Sequence, residues 1–380
     1  ADLVHPAPPR RSGEMMLGIQ HLRRCAVVLL LAASANGFAP SILVADGLAP
    51  SALMLLRSAG ANVVERHYAQ TELGAALGEY DAVIIRSATT LTSEIIEAGA
   101  GGRLRVIGRA GVGVDNVDVE AARAAGCWVL NTPGAPTTSL VELTLAHMFA
   151  AARGLQDADV GLKSHTWLKG QIRMGATGGP RLGHELAGKR LGLLGFGRAA
   201  KGVAAAASAL GMQVHAYSRK GSAQQAEHEA AAARMGVVLA PSAEELFKAC
   251  SHVVVLCSLS AATRGLVDRR RIALMQQHGA DNTPCGAHLF NLARGGIVNE
   301  EDAAACLEDG TLSTYATDVF VTEPPPRDSR LLRTPNFYAT PHIGAATYEA
   351  QARVGTQIAA SVLSALGDTA PSDGVIASPP

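Results

Sequence analysis

The sequence predicts an α/β protein with two doubly wound, parallel-sheet domains. At 380 residues the chain is long for one compact domain. Short apolar runs alternate with helical segments along most of it, which is the pattern of parallel strands joined by crossover helices. Near the middle of the chain, one apolar run leads into a glycine turn and then an alanine-rich helix. Because a complete set of alternating strands and helices precedes this turn, we expect a second α/β unit to begin there.

The first α/β unit occupies the part of the chain before the turn at residues 133–136. We expect strands at 41–46, 62–64, 82–85, 105–108 and 128–131, and helices at 48–59, 72–77, 91–98 and 119–125. Glycines end two of these helices, at Gly60 and at the cluster 99–102. The alternation of strand and helix therefore predicts a parallel sheet covered on both faces.

A long amphipathic helix is expected at 138–154, where it would link the two units. The second unit has expected strands at 190–194, 213–217, 237–239, 252–256, 288–291, 314–318 and 337–339, and a final helix follows at 348–366. The glycine-rich stretch 170–188 is expected to be a surface loop. The tail at 369–380 is rich in Pro, Ser and Gly, so we expect it to be disordered.

The glycine turn at 195–200 has the spacing G-x-G-x-x-A between a strand and a helix. Gly195 permits the tight turn, Gly197 lets the backbone approach a pyrophosphate, and Ala200 is small enough for close packing of the helix on the strand. The N-terminus of the helix presents free N–H groups to the anion. In this context the motif predicts a dinucleotide site, and a plain tight turn is the alternative.

Three charged side chains each follow an expected strand of the second unit, namely Arg294, Glu323 and His342. The carboxyl ends of parallel strands are where α/β sheets bind ligands. Beside a nicotinamide, the histidine would exchange a hydroxyl proton, the glutamate would orient the imidazole, and the arginine would hold a substrate carboxylate. Taken singly, they could equally be a surface arginine, a solvated glutamate and a helix-capping histidine.

The charge balance and the cysteine spacing indicate which binding partners and which compartment the sequence favours. The 33 basic and 33 acidic residues give a formal net charge of zero, and no long basic run occurs. The composition therefore favours neither a nucleic acid nor an acidic membrane as a partner. The six cysteines, at positions 25, 127, 250, 257, 285 and 306, form no C-x-x-C pair. Their spacing supports neither a metal site nor a disulfide framework, and it fits a reducing compartment.

Residues 1–40 differ from the rest of the chain. A basic stretch ends at Arg23 and Arg24, an apolar core follows at 25–33, and small residues continue to Gly37. This is the layout of a cleavable signal sequence whose core is too short to span a bilayer. The segment Phe38-Ala39-Pro40 resembles the cleavage region of plastid-targeting leaders in algae with secondary plastids. We expect either a plastid leader or a disordered extension on a cytoplasmic protein.

Five motifs carry a resemblance to a known family. In chain order they are RAGVGVDN at 109–116, LGLLGFGR at 191–198, ARGGIVNE at 293–300, DVFVTEPP at 318–325 and TPHIGAAT at 340–347. Together they resemble the D-isomer-specific 2-hydroxyacid dehydrogenases over about residues 41–366. Within that family, the chain most resembles the shorter D-3-phosphoglycerate dehydrogenases, so we expect no serine feedback through a C-terminal regulatory domain.

The resemblance implies a Rossmann coenzyme domain inserted into a flavodoxin-like substrate domain. The implied bounds are 41–141 and 346–368 for the substrate domain and 142–345 for the NAD(P)-binding domain. It implies His342 as general acid/base, Glu323 as its partner and Arg294 as the carboxylate-binding arginine. Cofactor contacts are expected at Gly195, Gly197, Arg198, Ala199, Ser218, Arg219, Ser258, Thr263, Ala293, Asp318, Gly344 and Ala345. A homodimer through the coenzyme domain is also implied, with helix 138–154 as a contributor.

The residues near 86–89 and 111–113 line the substrate cleft in this family. The resemblance thus implies substrate contacts at Arg86, Ser87, Gly111, Val112 and Gly113. Arg86 would supply a cation for a phosphate, which favours 3-phosphoglycerate and the first step of serine synthesis. A structural arginine at the strand end is the alternative for this residue.

Two other functions stay open. One is an NADPH-dependent glyoxylate or hydroxypyruvate reductase, and the other, from a different class, is a nucleotide-sensing scaffold like the corepressors built on this fold. Val112, Pro136 and Asn299 depart from the residues common in phosphoglycerate dehydrogenases. The first two fall near the expected cleft and leave the particular substrate open.

Ser218 also departs from the family's pattern, at a position that affects the choice between NAD and NADP. Dinucleotide folds that prefer NAD carry Asp or Glu ~20 residues past the glycine loop, where it binds the ribose 2′-hydroxyl. Here Ser218 is followed by Arg219 and Lys220. A missing acid beside two cations suits a 2′-phosphate. We therefore expect the protein to prefer NADP over NAD.

Overall fold

A computed structural model describes residues 39–167, 169, 182–219, 221 and 224–379. The chain divides into two compact units. Of the described residues, those up to Pro136 and those from Thr347 onward form the terminal unit, and those between Thr137 and Ala346 form the inserted unit. Each unit is a parallel-sheet α/β domain, which confirms the predicted fold class.

The strands, in chain order, are β1 (Ser41–Val44), β2 (Asn62–Glu65), β3 (Ala82–Ile85), β4 (Val106–Arg109), β5 (Trp128–Leu130), β6 (Arg190–Leu194), β7 (Gln213–Tyr217), β8 (Val238–Leu239), β9 (His252–Val255), β10 (His288–Asn291), β11 (Thr314–Thr317), β12 (Phe337–Ala339) and β13 (Val375–Ala377). The helices are α1 (Pro50–Ser58), α2 (Gln70–Leu77), α3 (Ser93–Ala100), α4 (Val119–Ala124), α5 (Thr137–Arg153), α6 (Leu155–Lys163), α7 (Arg198–Ala209), α8 (Gln225–Met235), α9 (Ala243–Ala249), α10 (Arg269–Ile272), α11 (Glu300–Glu308) and α12 (Tyr348–Leu366). A short 3-10 helix covers Leu331–Arg333.

The terminal unit has a six-stranded sheet in the order β13-β5-β4-β3-β1-β2. Its strands are parallel except β13, which runs antiparallel to β5. Helices α1 and α12 cover one face, and α2, α3 and α4 cover the other. Because both faces are covered, a central strand such as β3 is buried at every position and is apolar throughout.

The inserted unit has a seven-stranded parallel sheet in the order β12-β11-β10-β9-β6-β7-β8. The chain runs outward from β6 to β8, then crosses back to β9 and continues to β12. The strand order therefore reverses between β6 and β9, and ligands of such sheets bind beyond the carboxyl ends of the strands at that point. Helices α5, α7 and α8 pack on one face, and α9 and α11 pack on the other.

Side-chain caps begin several helices. Ser242, Asn299 and Thr347 each accept a hydrogen bond, at 3.1 to 3.2 Å, from the backbone N–H three residues into α9, α11 and α12. Such caps satisfy backbone donors that have no partner within the helix. Asn299, which departs from the family's usual acid, thus has a structural role.

The structure corrects the predicted tail. Residues 369–380 are not all irregular, because Val375 and Ala377 pair with β5 and Ala377 is buried in the core of the terminal unit. The run Val-Ile-Ala is short and lies among Ser, Gly and Pro, so its composition concealed an edge strand.

The boundary expected after residue 141 lies instead after Pro136, and the second boundary lies after Ala346. A boundary at 141 would cut α5, which packs as one helix within the inserted unit; Val141 lies directly against Gly202 of α7. The long helix also ends one residue early, at Arg153. Gly154, with a positive φ of 57°, turns the chain into the separate helix α6, which was not predicted.

Most of the expected leader at 1–40 and most of the glycine-rich loop at 170–188 lie outside the described residues. Both therefore stay predictions. Among the helices that the structure describes, none combines the length and the apolar character needed to cross a membrane.

Candidate active site

The carboxyl ends of the strands bring the predicted residues of the inserted unit to one edge of its sheet. Gly195 follows β6, Ser218 follows β7, Arg294 follows β10, Glu323 follows β11 and His342 follows β12. Because these strands are parallel, their carboxyl ends share an edge. β10, β11 and β12 are also neighbours in the sheet, so the three expected catalytic residues lie on adjacent loops.

The turn after β6 fits a dinucleotide. Gly195 has a positive φ of 105°, and a Cβ there would lie 2.8 Å from the backbone nitrogen of Cys257, so the position requires glycine. A Cβ at Gly197, by contrast, would meet no atom within 4 Å. The first turn of α7 has neither a capping side chain nor an acidic residue. Open space beside an uncapped helix N-terminus suits a pyrophosphate.

His342 and Glu323 form a hydrogen-bonded pair. The Nδ1 of His342 lies 2.7 Å from the Oε2 of Glu323, and the Oε1 of Glu323 accepts the backbone N–H of Phe320 at 3.0 Å. Because an ionised carboxylate can only accept, Nδ1 carries the hydrogen and Nε2 keeps its lone pair. The two side chains are 42% and 38% exposed, so a ligand can reach the imidazole. This pair can accept a proton at Nε2.

The backbone at His342 lies in the left-handed region, with a φ of 54°. Side-chain-bearing residues adopt this conformation infrequently. The carboxylate of Asp318 holds it in place by accepting the N–H groups of Ile343 and Gly344, both at 2.8 Å. Asp318 was expected to contact the cofactor; the structure shows its buried carboxylate bonded to the loop that carries His342.

Two further side chains, those of Thr340 and His147, help to hold the Asp318 carboxylate in place. The hydroxyl of Thr340 donates to the Oδ1 of Asp318 at 2.6 Å, and the Nε2 of His147 lies 3.1 Å from the same hydroxyl. Burial lowers the pKa of His147, against a smaller opposing effect of the Asp318 charge. A chain of contacts therefore runs from helix α5 through Thr340 and Asp318 to the backbone beside His342.

The loop that carries Arg294 is held by Asn291. The amide of Asn291 donates to the carbonyl oxygen of Arg294 at 2.9 Å and accepts the N–H of Ala293 at 3.2 Å. The guanidinium of Arg294 donates to the carbonyl oxygen of Ala293 at 2.8 Å. A Cβ at Gly295 would overlap the carbonyl oxygen of Phe320. The Arg294 loop thus packs directly on the loop that leads to Glu323.

The end of β7 presents a hydroxyl where an acid would select NAD. The Oγ of Ser218 lies 2.7 Å from the Nδ1 of His228, and burial followed by the charge of Lys201 lowers the pKa of that histidine. The nearby acid, Glu227, accepts a hydrogen bond from Lys201 at 2.5 Å. Arg219 is exposed, and Lys220 lies outside the described residues.

The remaining expected cofactor contacts lie on the same loops, at Arg198, Ala199, Ser258, Thr263, Ala293, Gly344 and Ala345. The hydroxyl of Thr263 bonds within its own loop, donating to the carbonyl oxygen of Ser258 and accepting the N–H of Ser260, both at 2.7 Å. It therefore shapes that loop. The contacts of this set with a cofactor stay predictions.

The expected substrate residues lie in the terminal unit, after β3 and β4. The carboxylate of Asp46 accepts the N–H of Arg86 at 2.7 Å and bonds the N–H and hydroxyl of Thr89, at 3.1 and 2.6 Å. Asn116 donates to the carbonyl oxygens of both residues. These bonds shape the loop that contains Ser87. The Arg86 guanidinium has no hydrogen bond or ion pair with any residue that the structure describes.

Gly111, Val112 and Gly113 follow β4. The N–H and the hydroxyl of Thr132 donate to the carbonyl oxygen of Gly111, at 2.8 and 3.1 Å. The side-chain amide of Asn131 donates to the carbonyl oxygen of Val112 at 2.5 Å. The Val112 side chain is exposed. The turn is thus held through its backbone, which leaves its side-chain surface available.

Sequence reasoning missed the residues that hold these loops, chiefly Asp46, Asn116, His147 and Thr340. Each acts through hydrogen bonds between distant segments, which no spacing in the sequence reveals. The available signals were an acid two residues after β1 and the places of Asn116 and Thr340 within the motifs at 109–116 and 340–347.

The inserted sheet, its glycine loop and the paired His342 and Glu323 define a dinucleotide-binding protein with a candidate acid/base at the same sheet edge. Residues 145–344 match the family described as "D-isomer specific 2-hydroxyacid dehydrogenase, NAD binding domain". The chain belongs to the D-isomer-specific 2-hydroxyacid dehydrogenase family.

The chain is also similar to several known proteins. The chain is 37% identical to the D-3-phosphoglycerate dehydrogenase of Methanocaldococcus jannaschii over 84% of its own length and 56% of the relative's. It is also 37% identical to the hydroxypyruvate reductase of Thermotoga maritima, over 83% and 94%. The crystal structure of a protein from Thermus thermophilus matches with a TM-score of 0.74 at 30% identity, over 88% of this chain and 99% of that one. The chain spans about half the length of its phosphoglycerate dehydrogenase relatives.

Proposed function

We propose that the protein is a D-2-hydroxyacid dehydrogenase that transfers a hydride between a nicotinamide cofactor and C2 of its substrate. The contact of 2.7 Å between His342 and Glu323, on the sheet edge that also carries the glycine loop, is the observation that carries this proposal. Membership of the family supports it.

The residues of the chain have distinct parts in this reaction. The nicotinamide, when bound, supplies or accepts the hydride. His342 takes the hydroxyl proton at Nε2 during oxidation and returns it to the carbonyl oxygen during reduction. Glu323 holds the Nδ1–H, so that Nε2 faces the substrate and the charge on the protonated ring is stabilised. Arg294 binds the substrate carboxylate and polarises the carbonyl oxygen.

The protein prefers NADP in this proposal. Ser218 supplies no carboxylate at the end of β7, and the neighbouring Glu227 is paired with Lys201. A 2′-phosphate there would meet a hydroxyl and the exposed Arg219 without repulsion from an acid at position 218.

Comparison of kcat/KM for NADPH and NADH tests this preference. We expect NADPH to be favoured at least tenfold, and Ser218→Asp to reverse the order, because its carboxylate would repel the phosphate and accept the ribose hydroxyl. Ser218→Ala is the matched control, which should keep the preference for NADPH. An NADH preference above tenfold in the unaltered protein would refute the assignment.

The favoured substrate pair is 3-phosphoglycerate and its 2-oxoacid. The Arg86 guanidinium supports this choice, since it is not engaged by any described residue and a phosphate needs a cation. The second candidate is a glyoxylate or hydroxypyruvate reductase. The relative from Thermotoga maritima, of which the chain covers 94%, favours this alternative.

Turnover on a panel of 2-oxoacids, with and without Arg86→Ala, distinguishes the two. If the substrate is phosphorylated, Arg86→Ala should lower kcat/KM on phosphohydroxypyruvate by about 10- to 100-fold, as expected for one lost charge-assisted contact. Activity on glyoxylate should change little. Arg123→Ala, which removes an exposed arginine paired with Glu120 in the same unit, is the control. Equal effects on both substrates would instead support the reductase.

A further inference from the structure

Three histidines from distant parts of the chain meet at the edge of the inserted sheet opposite the candidate active site. His252 and His288 are the first residues of β9 and β10 and lie side by side in register. His184 belongs to the loop before β6, where its backbone N–H donates to the carbonyl oxygen of Ala152 at 3.0 Å. His252 and His288 are buried, whereas His184 is partly exposed, so the cluster can be reached from its side.

The ring nitrogens of these histidines are close enough to share one ion. One nitrogen from each ring lies within 4.8 Å of the other two, and the Nε2 atoms of His184 and His252 are 2.9 Å apart. Nitrogens on a tetrahedral zinc lie about 3.4 Å apart, since each Zn–N bond is roughly 2.1 Å. That spacing lies between the 2.9 Å and the 4.8 Å of these contacts.

In two of the rings, the other nitrogen has a contact of the kind that orients metal-binding histidines. The Nε2 of His288 lies 2.8 Å from the carbonyl oxygen of Cys285, to which it can only donate, so the lone pair of that ring is on Nδ1. The Nδ1 of His252 lies 3.0 Å from the hydroxyl of Ser251. Metal-bound histidines commonly donate their second N–H to such oxygens, which fixes the tautomer.

The surroundings of two of the rings disfavour their protonated, cationic form. Burial lowers the pKa of His252 well below its ordinary value, and burial followed by the charge of Lys189 lowers the pKa of His184 to about 4. Neutral imidazoles are the ligand form. The ammonium group of Lys189 lies 2.9 Å from the carboxylate of Asp281, which offsets its repulsion of a cation.

We propose that His184, His252 and His288 bind a divalent first-row transition metal such as Zn²⁺, with water as a fourth ligand. Imidazole suits zinc, copper and nickel, whereas magnesium and calcium take oxygen ligands. The ion would tie the loop before β6 to the starts of β9 and β10. Because the cluster lies opposite the candidate active site, the ion has a structural role and stabilises the inserted unit.

Titration of the metal-stripped full-length protein with Zn²⁺ by calorimetry tests this site, and Co²⁺ absorption reports the coordination geometry. We expect about one ion per chain, a tetrahedral Co²⁺ spectrum, and an affinity at least tenfold lower in His184→Ala, as for loss of one ligand of three. His278→Ala, which removes an exposed histidine outside the cluster, should bind like the unaltered protein.

Thermal unfolding gives a second reading that does not depend on turnover. Zn²⁺ should raise the Tm of the unaltered protein and of His278→Ala, and at the same Zn²⁺ concentration it should raise that of His184→Ala less. If His184→Ala does not fold, His184→Asn replaces it with a smaller change of shape. Equal Zn²⁺ affinity in the unaltered protein and the folded His184 variant, or far less than one ion per chain, would show that the three histidines only pack against one another.

Discussion

The loop that carries His342 shows how single residues determine the geometry of the site. A left-handed backbone costs a residue with a side chain about 1 to 2 kcal/mol. Asp318 offsets this cost, because its carboxylate accepts two N–H groups directly after His342. The hydroxyl of Thr340 in turn orients that carboxylate, and His147 on helix α5 contacts the same hydroxyl. We infer that these residues position His342 without touching the substrate.

Thr340→Val tests the positioning role. Valine keeps the shape but removes the hydroxyl that donates to Asp318, so we expect kcat to fall about 3- to 10-fold through loss of one charge-assisted hydrogen bond. The Kd for the dinucleotide should stay within twofold, a split that general destabilisation would not produce. Thr356→Val, which removes a hydroxyl bonded within α12, is the matched control. An unchanged kcat would contradict the role.

At the scale of elements, the two glycines of the loop after β6 meet different requirements. The G-x-G spacing alone does not tell the requirement of the fold from that of the ligand. Gly195 is needed by the fold, since its φ is positive and the backbone of Cys257 lies against it. Gly197 has an ordinary backbone conformation and open space around it, so the protein alone does not require glycine there. We propose that the bound dinucleotide occupies this space.

Alanine at each position should therefore have a different effect. Gly195→Ala should lower the free energy of unfolding by about 1 to 3 kcal/mol, through backbone strain and overlap with Cys257. Gly197→Ala should leave stability within about 0.5 kcal/mol but weaken dinucleotide binding at least tenfold, because the methyl group would occupy the path of the pyrophosphate. Urea unfolding and NADPH fluorescence titration measure the two effects. Equal loss of stability in both variants would contradict this distinction.

Elements with a clear pattern were predictable from the sequence, and long-range side-chain contacts were not. The runs that became β3, β6 and β10 were identified to the residue, because apolar residues that are buried in a parallel sheet form the middle of each run. β13 was missed because an edge strand of three residues has too little pattern. Motifs in the sequence identified Arg294, Glu323 and His342 as site residues. The hydrogen bonds from Asp318 to the loop of His342, and the histidine cluster around His252, could be recognised only in the folded structure.

At the scale of the whole molecule, the exposed apolar residues suggest where a second copy would bind. Leu155, Val160 and Leu162 on α6 and Trp167 after it are all more than half exposed. None of the side chains on α6 is buried. Large apolar side chains that are exposed at this density on one helix are typical of an interaction site. We propose that α6, with the preceding α5, contributes to a homodimer of the inserted unit.

Val160→Lys tests the dimer. A lysine in this apolar surface should disfavour association, because its charge would be desolvated, so the mass measured by light scattering should shift from dimer toward monomer. Val238→Lys is the matched control, since Val238 is 55% exposed on the same unit, against 65% for Val160, but lies on the edge strand β8. A dimer that persists in Val160→Lys and dissociates in Val238→Lys would place the interface elsewhere.

The most direct test of the proposed chemistry is the kcat/KM of His342→Gln, measured with NADPH and the best 2-oxoacid of the panel. Glutamine keeps a polar side chain but cannot exchange the proton, so we predict a loss of about 10²- to 10⁴-fold with unchanged dinucleotide binding. His278→Gln should retain full activity. Turnover by His342→Gln close to that of the unaltered protein would contradict the assignment of His342 as the acid/base.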